Sequence, residues 1–142
     1  MKILAAVDGS KHSIKSVKHL IALAASFRES PQVELIYVHL PVPKLPRMSW
    51  AVSAKQIRQY YEKDGWAALS KAKKLLGASG IRYSARILVG PIAETIVREA
   101  VRTRSDLIVI GTRGMTAAAS LLLGSTASKV LHLSSVPVLL VR

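Results

Sequence analysis

The chain has 142 residues, half of them hydrophobic, a size that fits one domain and an apolar content sufficient to bury a core. It has no cysteine, which excludes disulfide staples, thiolate catalysis and sulfur-ligated metal sites. Charge is the outlier: 21 Lys and Arg against 8 Asp and Glu leave +13, a field that concentrates nucleotides, nucleic acid and anionic lipid alike.

Lys2 to Val7 is a short apolar run ending at Asp8-Gly9-Ser10, where the period changes from strand to helix and Ser10 is placed to cap the helix. The chain opens on this strand pattern instead of a signal-peptide core, and no apolar run reaches the ~18 residues of a membrane span, so a cytoplasmic protein without a membrane partner is expected. Ile14, Val17, Ile21 and Ala24 then recur at helical spacing. Pro31 ends that connection, and Val33 to His39 is a second strand rich in β-branched and aromatic residues. Pro41, Pro43 and Pro46 make Pro41 to Trp50 an irregular crossover. A long helical pattern follows from Ala51 to Ser79, with Ile57, Tyr61, Ala68, Ala72 and Leu75 on one face and Gly65 as a point of weakness or kinking. Tyr60, Tyr61 and Trp66 within it read as core or interface residues, and the aromatic signatures of RNA-recognition sheets are missing. Arg82 to Val89 is a third strand. Gly90-Pro91 then sets up a helix with Ile92, Ile96 and Ala100 inward, followed by strand Leu107 to Ile110, a helix from Ser125 to Ser134 and a last strand from Val138 to Val141.

Five strands alternating with four helices predict an α/β fold: a Rossmann-like, doubly wound, five-stranded parallel sheet with helices on both faces and strand order 3-2-1-4-5. Ligands of such sheets bind beyond the carboxyl ends of the strands where the strand order reverses, here between strands one and four. Asp8 ends strand one and Gly111 follows strand four, so these two segments should meet. The loop after strand four carries Gly111 and Gly114, then nine residues, then Gly124-Ser125 opening a helix. Glycines beside a helix N-terminus let bare amides converge on an anion such as a nucleotide phosphate.

Gly111-Thr112-Arg113-Gly114, the nine residues Met115 to Leu123, and Gly124-Ser125 resemble the nucleotide signature of the universal stress protein family with no gap in its spacing. The resemblance extends over Ile3 to Ser10, Tyr37-Val38-His39, Val89-Gly90-Pro91 and Val136 to Val141. It implies membership of the ATP-binding group, with ATP, or ADP or AMP, as cofactor and Mg or Mn as a possible companion. Carried over by position, Gly111, Arg113, Gly114, Gly124, Ser125 and Thr126 would surround phosphates and ribose, and Val38 would meet adenine through its backbone. Ala6, at a place where some relatives have proline, and Ile110 complete the implied site. Asp8 would repel a triphosphate, so it is expected to face adenine or ribose or to hold a metal; an Asx-type turn before the helix is the plainer alternative. Arg113 suits a phosphate or a solvated loop equally.

Other chemistry finds little support. His12, His19, His39 and His132 lack metal-ligand spacing, and neither a Gly-x-Ser-x-Gly elbow nor a Walker-type Gly-Lys-Ser/Thr is present. The expected role is that of a regulatory stress-response protein whose nucleotide orders the glycine loop; at most a slow metal-dependent ATPase is the second reading. A basic nucleic-acid-binding module is the third, less favoured because the cations are scattered along helices as on solvated faces. The strand Val138 to Val141 should lie at a sheet edge and pair antiparallel with a second copy in a homodimer, as the family resemblance implies.

Overall fold

A computed structural model describes residues 1–43, 53–114 and 123–142. Most of the Pro41 to Trp50 crossover and of the loop between Gly114 and Gly124 lies outside these residues. The elements run β1 (Lys2–Ala6), α1 (Lys11–Ala24), β2 (Gln32–His39), α2 (Ala54–Ser79), β3 (Tyr83–Val89), α3 (Ile92–Arg102), β4 (Leu107–Gly111), α4 (Ser125–Leu133) and β5 (Val138–Val141). The strands form one parallel sheet in the order β3-β2-β1-β4-β5, the doubly wound arrangement expected. No helix among the described residues is long and apolar enough to cross a membrane.

The central strand β1 is buried on both sides, so its alternate side chains feed two cores. Ile3, Ala5 and Val7 pack with Val17 and Leu20 of α1 and with Leu69, Ala72 and Leu76 of α2. Leu4 and Ala6 pack on the other face with Ile36 and Val38, Ala93 and Ile96 of α3, and Val130 of α4. The buried stripe of α1 is Ser13, Ser16, Val17, Leu20 and Ala24, so Ile14 and Ile21 sit at its margin. Ser10 caps α1 by accepting a bond from the Ser13 amide at 3.2 Å.

Helix α2 is continuous through Gly65, contrary to the expected weak point. Gly65 is buried there, and a Cβ on it would lie 2.7 Å from Ile87 of β3. The residue lets the helix backbone approach the sheet. Of the aromatics expected in the core or at an interface, Tyr60 and Trp66 are exposed and not in the core; the Tyr60 ring lies edge-on to His39 of β2 at 5.2 Å between centroids, and the Lys73 ammonium is 4.6 Å from the Trp66 ring centroid. Leu69 and Leu76, one position on from the expected Ala68 and Leu75, carry the inner face.

On the α3 face two carboxylates that composition does not flag, Glu34 of β2 and Glu99 of α3, are each 5% exposed. Arg86 of β3 bonds both, and Arg102 donates to Glu99 at 2.7 and 2.8 Å, so the charges compensate one another and fasten α3 to the sheet. The Arg102 hydrogen bond, working against burial and helped by the charge of Arg86, holds the Glu99 carboxyl below its ordinary value of 4.5.

Two outcomes follow from this packing. Gly65→Ala should lower stability by about 1–2 kcal/mol in urea unfolding, because the clash with Ile87 outweighs the ~1 kcal/mol gain in helix propensity. Because Glu99 is depressed in the folded state, its contribution is full above the ordinary carboxylate range and disappears as pH falls through the folded value. The urea midpoint should therefore fall on acidification below about pH 4.5, and less steeply in Glu99→Gln.

Candidate functional site

Helices α1 and α2 cover one face of the sheet and α3 and α4 the other, so the chain changes face between the neighbouring strands β1 and β4. At the carboxyl ends of these strands opens a cavity of about 300 Å³, at the lower end of the usual range for small-molecule sites. Its floor is fixed by strand register. Ala6 pairs with Ile36 on one side and Ile110 on the other, so a methyl sits between two larger side chains and leaves a hollow above itself. Val38, two residues beyond Ile36 and on the same face, extends this floor, and Ile92 and Ile96, one helical turn apart on α3, wall it.

The polar end of the cavity is built from three chain segments. Asp8 follows β1, and its Oδ1 accepts the Ser10 amide at 2.9 Å, so the Asx turn is formed and Asp8 lines the cavity as well. Gly111 ends β4, and Thr112 to Gly114 follow it. Gly124 is the N-cap of α4 with no side-chain cap, leaving the first turn, Ser125 to Ala127, on the cavity wall. Its amides and the positive end of the helix dipole give the site anion-binding character.

The glycines have reasons that the sequence pattern alone does not reveal. A Cβ at Gly111 would meet the His12 backbone carbonyl at 3.1 Å, and one at Gly124 would meet the Thr112 carbonyl oxygen at 3.1 Å. These two positions admit protein backbone, whereas at Gly114 a Cβ would lie 2.9 Å from Asp8 Oδ2. The backbone of Thr112 ties the rim together, its N–H donating to the Val141 carbonyl at 2.8 Å and its carbonyl accepting from the Gly124 amide at 2.8 Å. The Thr112 hydroxyl is buried and has no hydrogen-bond partner among the described residues.

Ala6, Asp8, Val38, Ile110, Gly111, Arg113, Gly114, Gly124, Ser125 and Thr126, singled out in the sequence, all line this one cavity. Val7, Ser13, Ile36, Thr112, Ile92, Ile96 and Ala127 line it too and were missed. Ile36 could have been found from Val38 by strand alternation. Ile92 and Ile96 carried an apolar-face signal that does not distinguish core from cavity wall. For a divalent ion, Asp8 is the carboxylate on the lining, and among the described residues no group of three His, Asp or Glu side chains could hold a metal. On the opposite face of β2, His39 Nε2 lies 3.2 Å from Asp64, and the Tyr37 hydroxyl donates to the same carboxylate at 2.6 Å. Burial, and then that bond to Asp64, hold the Tyr37 phenol far above its ordinary value.

The universal stress protein family model matches residues 1–142. The chain belongs to this family. It is 36% identical to a universal stress protein of Methanocaldococcus jannaschii over 99% of this chain and 81% of the relative. Among solved structures, that of hypothetical protein MJ0577 superposes with a TM-score of 0.83 at 27% identity, covering 99% of this chain and 94% of the other. A universal stress protein solved in complex with cAMP superposes with a TM-score of 0.73 at 25% identity, covering 100% of this chain and 97% of that one.

Two substitutions separate the roles of these glycines. Gly111→Ala, which pushes on backbone, should destabilise the fold by about 1–3 kcal/mol in urea unfolding, whereas Gly114→Ala, which meets a movable carboxylate end, should cost less than ~1 kcal/mol.

Proposed function

We propose that this universal stress protein binds an adenine nucleotide in the cavity between β1 and β4, as a regulatory protein whose nucleotide orders the glycine loop. One observation carries the reading: an apolar slot over Ala6 opens directly onto the uncapped first turn of α4. A flat apolar base fits the slot between Ile36, Val38, Ile92, Ile96 and Ile110, and its phosphates reach the amides of Ser125 and Thr126. Among the described lining residues, Arg113 is the cationic side chain and Asp8 the anionic one. The complex of a family member with cAMP supports an adenine ligand. A Mg or Mn ion would share Asp8 with the phosphates, which must supply its remaining ligands. With Asp8 engaged in the Asx turn and no other carboxylate among the described lining residues, hydrolysis is at most slow.

Titration calorimetry with ATP, ADP, AMP and cAMP tests the reading. Measurable binding of at least one is expected, and no heat or competition at millimolar nucleotide would overturn it. Gly114→Leu should weaken binding by about tenfold or more by driving a side chain toward Asp8, with the melting curve preserved. Ala6→Leu, which fills the hollow from the opposite end, should do the same.

We also propose a homodimer through β5, which ends the sheet. The carbonyls of Pro137 and Val141 accept bonds from Ile108 and Thr112, so strand alternation turns the Leu140 N–H away from β4 and toward a second copy. Sedimentation at micromolar protein should give a dimer for the native chain and a monomer for Leu140→Pro, which removes only that outward donor. A native monomer would overturn the pairing.

A further inference from the structure

Helix α2 has 26 residues, about 39 Å at 1.5 Å per residue, while the strands beneath it, β2 and β3, have eight and seven, about 26 and 23 Å. Gly77 faces Tyr83 at the start of β3 and Gly65 faces Ile87 toward its end, so the helix runs antiparallel to the strands and overhangs their carboxyl ends. Its buried residues begin at Gly65, and none of residues 54–64 is buried. Ser53 and Gln56 close the tip with a reciprocal capping box, which satisfies two amides at the helix start locally. Among the described residues, a cluster around His39, the last residue of β2, joins this overhang to the sheet. The His39 ring centroid lies 5.2 Å from that of Tyr60 and 4.8 Å from that of Tyr61, and the Tyr61 hydroxyl accepts the Val42 amide at 2.7 Å.

The two ring nitrogens of His39 both face acceptors. Nδ1 lies 2.6 Å from the Leu40 carbonyl oxygen and Nε2 lies 3.2 Å from Asp64 Oδ2. A neutral imidazole carries one N–H, so in either tautomer a nitrogen lone pair is set against an oxygen lone pair. The imidazolium carries two and presents a donor to each side. Asp64 is held toward the ring by Tyr37, whose hydroxyl donates to the same oxygen at 2.6 Å. The titratable groups against the ring are thus Asp64, Tyr60 and Tyr61 of α2 and Tyr37 of its own strand, while β3 pairs Val89 with His39. Of these residue types, imidazole is the one that ordinarily changes charge between about pH 5 and 8.

We propose that His39 is a proton-operated latch: its imidazolium docks the first three turns of α2 on the end of β2, and loss of the ring proton releases them. Docking is favoured by the protonated ring, so it weakens as pH rises through the imidazole range. The rest of α2 stays in place, because Leu69, Ala72 and Leu76 belong to the core beneath it. None of Tyr37, His39, Tyr60, Tyr61 and Asp64 lines the cavity between β1 and β4, so the latch is independent of the nucleotide reading.

The test is amide hydrogen exchange on the full chain from about pH 5.5 to about pH 8, with rates corrected for the intrinsic pH dependence of exchange. Corrected exchange in residues 57–63 should rise about fivefold across this range, the size of one half-exposed ion pair. In residues 69–76 it should change by less than about twofold. His39→Phe keeps a ring against Tyr60 and Tyr61 but has no N–H, and should exchange fast in 57–63 at both ends of the range. Asp64→Asn removes the carboxylate charge and should flatten the profile. His19→Gln with His132→Gln, at two exposed histidines elsewhere, should leave it native. Circular dichroism and protection of 69–76 report that each variant keeps the fold; should His39→Phe not fold, Asp64→Asn decides. The proposal fails if exchange in 57–63 of the native chain does not rise with pH, if it rises as much in Asp64→Asn or His39→Phe, or if 69–76 rises with it.

Discussion

The pairing of β1 with β4 is the constraint on which the site depends. It puts two strands side by side whose onward connections leave on opposite faces, so no helix among the described residues covers the space beyond their ends. The same register sets Ala6 between Ile36 and Ile110, which converts a gap between layers into a shaped hollow. A one-residue slip of β1 would exchange Ala5 for Ala6 and send the hollow to the other face; burial of β1 on both sides prevents it. The polar end is positioned by the same two strands, since Asp8 lies two residues beyond β1 and Gly111 is the last residue of β4.

Much of this was legible in the sequence because the responsible signals are local. Apolar runs, Ser10 before α1 and the alternation of strand and helix fixed the order of elements, and right-handed crossover then left little freedom of topology. The site was legible through glycine spacing, but for a partly different reason from the one that spacing suggests. Gly111 and Gly124 make room for the backbone of His12 and Thr112, so part of the signature is a packing requirement of the fold. Gly65 shows the limit in reverse: within a helical pattern it resembles a defect, and only the distance to Ile87 reveals it as a contact. Nor could periodicity tell Leu69 from Ala68 on α2, because the buried side depends on how the helix is set against the sheet.

Charge illustrates the same division. The excess of Lys and Arg is visible at once, yet its physical meaning depends on partners that are distant in sequence. Arg86 and Arg102 are consumed in compensating Glu34 and Glu99, whose burial holds α3 in place and with it Ile92 and Ile96 on the cavity wall. Lys129 pairs with Glu94 and joins α4 to α3 on that same side. Much of the ion pairing among the described residues thus lies behind the cavity.

The backbone of Thr112 has a mechanical consequence. Its N–H is bonded to the last residue of β5 and its carbonyl to the residue that caps α4; the two groups sit in adjacent peptide planes hinged at the Thr112 Cα, so one residue links the sheet's border to the mouth of the hollow. A shift of the border strand therefore reaches the first turn of α4 through one residue, and a shift of that turn reaches the border by the same route.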